Sequence, residues 1–287
     1  MAAVLRPLRR GVSDPAYRTT PTGVTWMAAN TPAGVGTMAL RWRDGAVRAT
    51  AWGDGARFLL DGVPALLGAE DDDSDFEAHH PLIADIRRRM PALRLGATGR
   101  VWDLLVPSVL EQKVTGFEAR RSWRDLCRRY GTPAPGPVPD GMFAPPTPKA
   151  IDEIPDWAWH KAGVDLARRK AIVAAARVAH GLEKAVELRG RAGRDLLRKV
   201  PGIGFWTAAE IAQRAWGDAD AVSVGDFHIP GLVGYALLGR KVDDEGMLEV
   251  LRPYAPHRHR VVRYLEAGGP GKPRYGPRLS PRDYREI

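Results

Sequence analysis

The stretch Leu196-Leu197-Arg198-Lys199-Val200-Pro201-Gly202-Ile203-Gly204-Phe205-Trp206-Thr207-Ala208-Ala209-Glu210-Ile211-Ala212 leaves the backbone few choices. Leu196, Leu197 and Val200 recur at helical spacing, as do Ala208, Ile211 and Ala212, so each segment offers an apolar stripe to the other. Pro201 stops the first helix, and Gly202 and Gly204 make the turn. Glycine serves twice there, because it tolerates positive φ and because a bare backbone lets a ligand come close. The N–H groups at the turn and at the start of the second helix lack helical partners and sit at the positive end of the helix dipole. That suits an anion such as a DNA phosphate. A plain αα-hairpin with a glycine-rich turn would read similarly. Asp226 lies twenty positions beyond Trp206 in Val222-Ser223-Val224-Gly225-Asp226-Phe227-His228-Ile229, where it opens the next helix.

The rest of the chain of 287 residues, 44% hydrophobic, is long enough to bury one large core or two smaller ones. A net charge of +9 favours a polyanionic partner, since phosphate binding releases counterions. Much of that charge is arginine in an Ala- and Gly-rich chain, so composition contributes to it. The single cysteine, Cys127, excludes a disulfide framework and a four-cysteine zinc or iron–sulfur site within one chain. No apolar run reaches eighteen residues and no signal-like region follows Met1-Ala2-Ala3-Val4-Leu5, so a cytoplasmic protein without a membrane partner is expected.

Residues 1–75 read as a small N-terminal α+β domain. Val24–Ala28, Val35–Trp42 and Val47–Trp52 are β-rich, with Asp44-Gly45 as a hairpin signal, and Arg57 to Leu67 reads as helix broken at Gly62 and Pro64. The acidic run Glu70-Asp71-Asp72-Asp73-Ser74-Asp75 reads as a solvated linker or helix start rather than a metal site, and marks the boundary. Residues 76–267 read as helices, making the chain α+β, mainly α. Pro81 to Met90 is one helix and Val101 to Leu110 another, kinked or split at Pro107. Thr115-Gly116-Phe117-Glu118 fits a capping box, so a helix should run from Thr115 to Tyr130 and squeeze Gln112 and Lys113 into a tight turn. Gly131 to Pro148 should be an extended surface loop. His257-Arg258-His259-Arg260 does not place its histidines on one helical face, which favours a phosphate-facing or solvated surface over a metal site. Residues 268–287 form a basic Gly/Pro-rich tail.

The hairpin together with Asp226 resembles the helix-hairpin-helix (HhH-GPD) DNA glycosylase superfamily. The Gly-Ile-Gly-Phe-Trp-Thr-Ala run is most similar to 3-methyladenine DNA glycosylase II of the alkylpurine group. The resemblance covers about Arg100 to Leu265. It implies a glycosylase that flips an alkylated purine, 3-methyladenine or 7-methylguanine, out of double-stranded DNA and hydrolyses its N-glycosidic bond, acting as a monomer, on the nucleoid in a bacterium. The alternatives are a deaminated or oxidised base as the lesion, or a helix-hairpin-helix module that binds DNA without catalysis. Asp226 would stabilise positive charge developing on the sugar and orient or deprotonate water, a role compatible with capping its helix. Bifunctional members carry a Schiff-base lysine where this chain has Trp206, and tryptophan cannot do that chemistry, so a monofunctional enzyme is expected. Trp206 would offer its face to a cationic methylated purine, or pack in the hairpin core.

Glu210, one turn further on, stands where the group often has an aromatic. It would line the pocket mouth, drawing cationic bases or accepting a base N–H, or else face solvent. The resemblance makes Gln112 and Lys113 the turn entering the duplex, with Lys113 in place of an apolar wedge or left as a solvent-exposed turn residue. Gly202, Ile203 and Gly204 would hold a phosphate, directly or through a monovalent cation on turn carbonyls. His228 would support the loop or touch phosphate. No other metal or cofactor is expected, and an iron–sulfur cluster, found in some relatives, is excluded.

Overall fold

The computed structural model describes residues 1–271 together with 283 and 285, and most of the expected basic tail lies outside them. The fold is α+β, mainly α, with the sheet first and the helices after it. Strands β1 (Tyr17–Thr19), β2 (Thr25–Thr31), β3 (Gly34–Arg43) and β4 (Ala46–Trp52) form an antiparallel sheet in the order β1-β2-β3-β4. Asp44 and Gly45 both take positive φ, 51° and 77°, as a two-residue hairpin turn requires. One face sets Met27, Met38 and Leu40 against Leu5 of α1 (Ala2–Leu5), Leu59 of α2 (Ala56–Asp61) and Leu66 of α3 (Val63–Leu66). The helical stretch here breaks at Gly62, as expected, while Pro64 sits in the first turn of α3.

The helical region has two cores. Helices α4 (Pro81–Arg89), α5 (Trp102–Leu110), α6 (Gly116–Tyr130), α7 (Pro148–Asp152), α8 (Asp156–Lys161), α9 (Leu166–Arg177), α10 (Ala179–Leu182) and α11 (Ala185–Leu188) lead to the hairpin pair α12 (Gly190–Leu197) and α13 (Phe205–Ala215). Then come α14 (Ile229–Leu238), α15 (Asp244–Leu251) and α16 (Arg258–Gly268). Helices α5 to α13 share one core, built on Trp123, Trp159, Ile172 and Ile211. Helix α4 joins α14–α16 in another, with Ile83, Val233, Leu251 and Val262. Ala221 belongs to the first and Val222 to the second, so the chain changes cores just before Asp226. Helix α5 runs unbroken through Pro107. Among the described residues no helix is long and apolar enough to cross a membrane.

Three expectations need correction. The segment 131–148 is not a free surface loop. Strand β5 (Thr132–Pro133) pairs with β6 (Phe143–Ala144), and buried Met142 and Ala144 cover the second face of the sheet beside Trp26. Apolar surface on that face needed a lid, and proline-rich chain can supply one without a helix. The acidic run is solvated only in part: Glu70, Asp72, Ser74 and Asp75 are exposed, whereas Asp71 and Asp73 turn inward. Asp71 makes a two-pronged ion pair with Arg260, both side chains only 3% exposed, Asp73 pairs with Arg87 and Arg94, and Asp75 accepts a hydrogen bond from His257 Nε2. The His-Arg-His-Arg segment is correspondingly not a solvated or phosphate-facing surface. His257, His259 and Arg260 are buried, and Arg258 grips Asp220 through two nitrogens. Opposite charges distant in sequence neutralise each other, which permits their burial.

Candidate active site

The hairpin forms as its apolar stripes require. Leu197, Val200, Ile203, Ala208, Ile211 and Ala212 are all buried in the larger core. Gly202 has φ +89°, and a Cβ there would lie 2.6 Å from the Cβ of Ala171 on α9. Gly204 is extended, with none of the described residues within 4 Å of where a Cβ would be, so its lack of a side chain leaves the N-terminus of α13 open. The Ile203 side chain is buried and its N–H donates to the Val200 carbonyl at 3.1 Å. The first N–H groups of α13, rather than that of Ile203, are therefore the ones left for an anion.

Beside this turn lies the one between α5 and α6. The capping box is present: Thr115 N–H donates to Glu118 Oε2 at 2.8 Å, and Glu118 N–H to Thr115 Oγ1 at 3.3 Å. Lys113 is exposed with φ +54°, a left-handed conformation that non-glycine residues seldom adopt and that collects at functional sites. Gln112 donates from Nε2 to the Gly202 carbonyl at 3.0 Å and to Thr207 Oγ1 at 2.8 Å, tying the two turns together. Its amide hydrogens thus serve the scaffold.

Asp226 meets the hairpin directly. The Trp206 indole N–H donates to Asp226 Oδ2 at 3.0 Å, while Oδ1 accepts from the N–H groups of His228, at 2.6 Å, and Ile229, at 2.9 Å. Three N–H donors converge on one half-buried carboxyl group, a partner set suited to an acceptor-only carboxylate. The indole is half-buried beside it. The His228 ring is exposed and packs edge-on against Phe227 at 5.0 Å. Glu210 is neither at a pocket mouth nor in solvent. It is 7% exposed, Oε1 accepts from Ser223 Oγ at 2.6 Å, and Oε2 pairs with Arg214 at 2.9 Å. Helical periodicity put Glu210 on the face of Trp206 correctly, but could not show that the Asp226 loop covers that face.

Neither family models nor curated proteins give a match to this chain. Solved structures do. The structure of MBOgg1 in complex with low affinity DNA ligand is similar with a TM-score of 0.72 at 15% identity, over 93% of this chain and 90% of that one. The 3-methyladenine DNA glycosylase from Archaeoglobus fulgidus gives 0.70 at 16%, over 90% and 92%. The Clostridium acetobutylicum 8-oxoguanine glycosylase/lyase in its apo form gives 0.70 at 12%, over 93% and 91%. The fold is that of these DNA glycosylases.

Within this glycosylase fold, two aromatics beside the site escaped the sequence reading. Phe205, 64% exposed, opens α13 beneath the Arg198 guanidinium, whose carbon is 3.5 Å from the ring centroid. Phe227, 82% exposed, follows Asp226. Each adjoins a site residue, which was the available signal, but an apolar residue at a helix start reads as core.

Proposed function

We propose that this chain is a monofunctional DNA glycosylase that hydrolyses the N-glycosidic bond of alkylated purines, 3-methyladenine and 7-methylguanine, in duplex DNA. The observation that carries the reading is the Trp206–Asp226 hydrogen bond of 3.0 Å, which puts a carboxylate against an indole at the mouth of the glycine turn. In this reading the lesion leaves the stack, its phosphate rests on the N-terminus of α13, and Lys113 fills the space vacated. The Asp226 carboxylate faces the sugar as positive charge develops on it and directs water to the carbon that the base leaves. The half-buried Trp206 face attracts a cationic methylated base. Trp206 cannot form a Schiff base, so the product is an abasic site with the strand intact. The protein works as a monomer in the cytoplasm.

A second reading, an oxidised or deaminated base as substrate, draws support from the 8-oxoguanine glycosylase among the similar structures and from Glu210, whose carboxylate is spent on protein donors. Incubation with duplexes carrying each lesion, followed by analysis of the released bases, distinguishes the two. Asp226→Asn should slow release about 100- to 1,000-fold. Release by that variant at the wild-type rate would refute the assignment, and borohydride trapping of a protein–DNA adduct would refute monofunctionality.

A further inference from the structure

The loop that carries Asp226 is irregular between α13 and α14, yet the reaction proposed above needs its carboxylate held in place. Helix α13 touches that loop through three side chains, Trp206, Glu210 and Gln213. Trp206 holds the carboxylate, and Glu210 holds the loop's base. Glu210 Oε1 accepts the hydroxyl of Ser223 at 2.6 Å, and the Ser223 carbonyl accepts the Asp226 N–H at 3.2 Å. Gln213 completes the anchor, donating to Ser223 Oγ at 2.8 Å and to the Ala221 carbonyl at 2.7 Å.

Behind Glu210 stands Arg214, which pairs with its carboxylate at 2.9 Å and donates to the Pro7 carbonyl at 3.0 Å. Ser223 is fully buried. A buried carboxylate is costly to keep, and an apolar residue of the same size would pack there without that cost. Here its two oxygens join a fixed cation to a serine in the catalytic loop.

We propose that Glu210 is a positioning residue, and that the relay Arg214–Glu210–Ser223 fixes the Asp226 loop against α13. The inference rests on the glycosylase reading for its catalytic consequence and on the hydrogen-bond chain alone for its mechanical one, so two measurements separate them. The first is amide exchange in Ser223→Ala and Glu210→Gln. Exchange at Asp226, His228 and Ile229 should quicken at least tenfold in Ser223→Ala, and less in Glu210→Gln, which can still accept from Ser223, while Ala208 to Ala212 keep wild-type protection. Unchanged exchange at the loop in Ser223→Ala overturns the relay, whether or not the protein releases bases.

The second is single-turnover release from methylated duplex, paired with binding to a duplex holding an uncleavable abasic-site analogue. Ser223→Ala should slow release about tenfold and leave affinity within twofold. Combined with Asp226→Asn it should slow release no further than Asp226→Asn alone, because it acts through that carboxylate. Multiplying losses, or a fall in affinity that matches the fall in rate, overturns the catalytic role. Absence of release by wild type overturns the glycosylase reading and with it that catalytic role, and leaves the exchange result to decide the anchor.

Discussion

His259 shows how closely single residues are specified. It is 4% exposed, its Nδ1 has no partner among the described residues, and burial followed by the nearby Arg263, Arg214 and Arg260 pushes its pKa well below the ordinary value of 6.5. This environment favours the neutral ring. Below about pH 6.5 the unfolded chain binds a proton at this position that the folded one refuses. The stabilisation is therefore complete above that pH and declines as the pH falls towards the folded-state pKa, by about 1 kcal/mol per pH unit. Denaturant unfolding of wild type and His259→Phe between pH 7.5 and 5 should give curves that differ in slope by this amount, and comparing slopes removes any constant cost of the substitution. Parallel curves would show that His259 titrates normally.

The hairpin glycines separate structure from binding at the scale of the element. At Gly202 an added methyl meets Ala171 at 2.6 Å on a backbone at φ +89°, so Gly202→Ala should cost about 2 kcal/mol or more. At Gly204 the backbone is extended and the space is open. Gly204→Ala should leave stability within about 0.5 kcal/mol, yet crowd the N-terminus of α13 and weaken duplex binding severalfold. Thermal unfolding and a binding titration on both variants check this, and equal destabilisation by the two would refute it. These glycines, the capping box at Thr115 and the Asp44-Gly45 turn were legible because a few neighbouring residues determine each. Partners distant in sequence were not. Glu183 caps α5 by accepting the N–H groups of Val101 and Trp102, both at 2.8 Å, and nothing in local periodicity points to it. That Trp206 and Asp226 belong to one site was legible through a motif, whereas the hydrogen bond between them and the burial of Glu210 needed the loop's path.

Across the whole molecule, ion pairs and hydrogen bonds between residues distant in sequence hold the seam between the two helical cores on which Asp226 sits. Asp71 and Asp75 fix Arg260 and His257, Arg258 at the start of α16 grips Asp220, and the Arg260 N–H donates to the Ala219 carbonyl at 3.0 Å. The segment that read as a linker thus reaches the loop that carries Asp226 through α16. Asp71 also accepts the Leu95 N–H at 2.9 Å, so Asp71→Ala strands both a guanidinium and an amide. It should destabilise the fold by about 3–5 kcal/mol, because the remaining charge stays buried without a counterion. Arg260→Met should cost a similar amount, and the double variant should cost at least about 1 kcal/mol less than the two together, since no charge is then left unpaired. Denaturant unfolding of the four proteins measures that coupling, and strict additivity would show that the two side chains act independently. Asp71→Ala at temperatures where it remains folded should also speed amide exchange at Ala221 and Val222, although Asp71 is paired with α16 rather than with the loop. Unchanged exchange there would confine the ion pair to fastening α16, and the acidic run would then have no hold on the loop that carries Asp226.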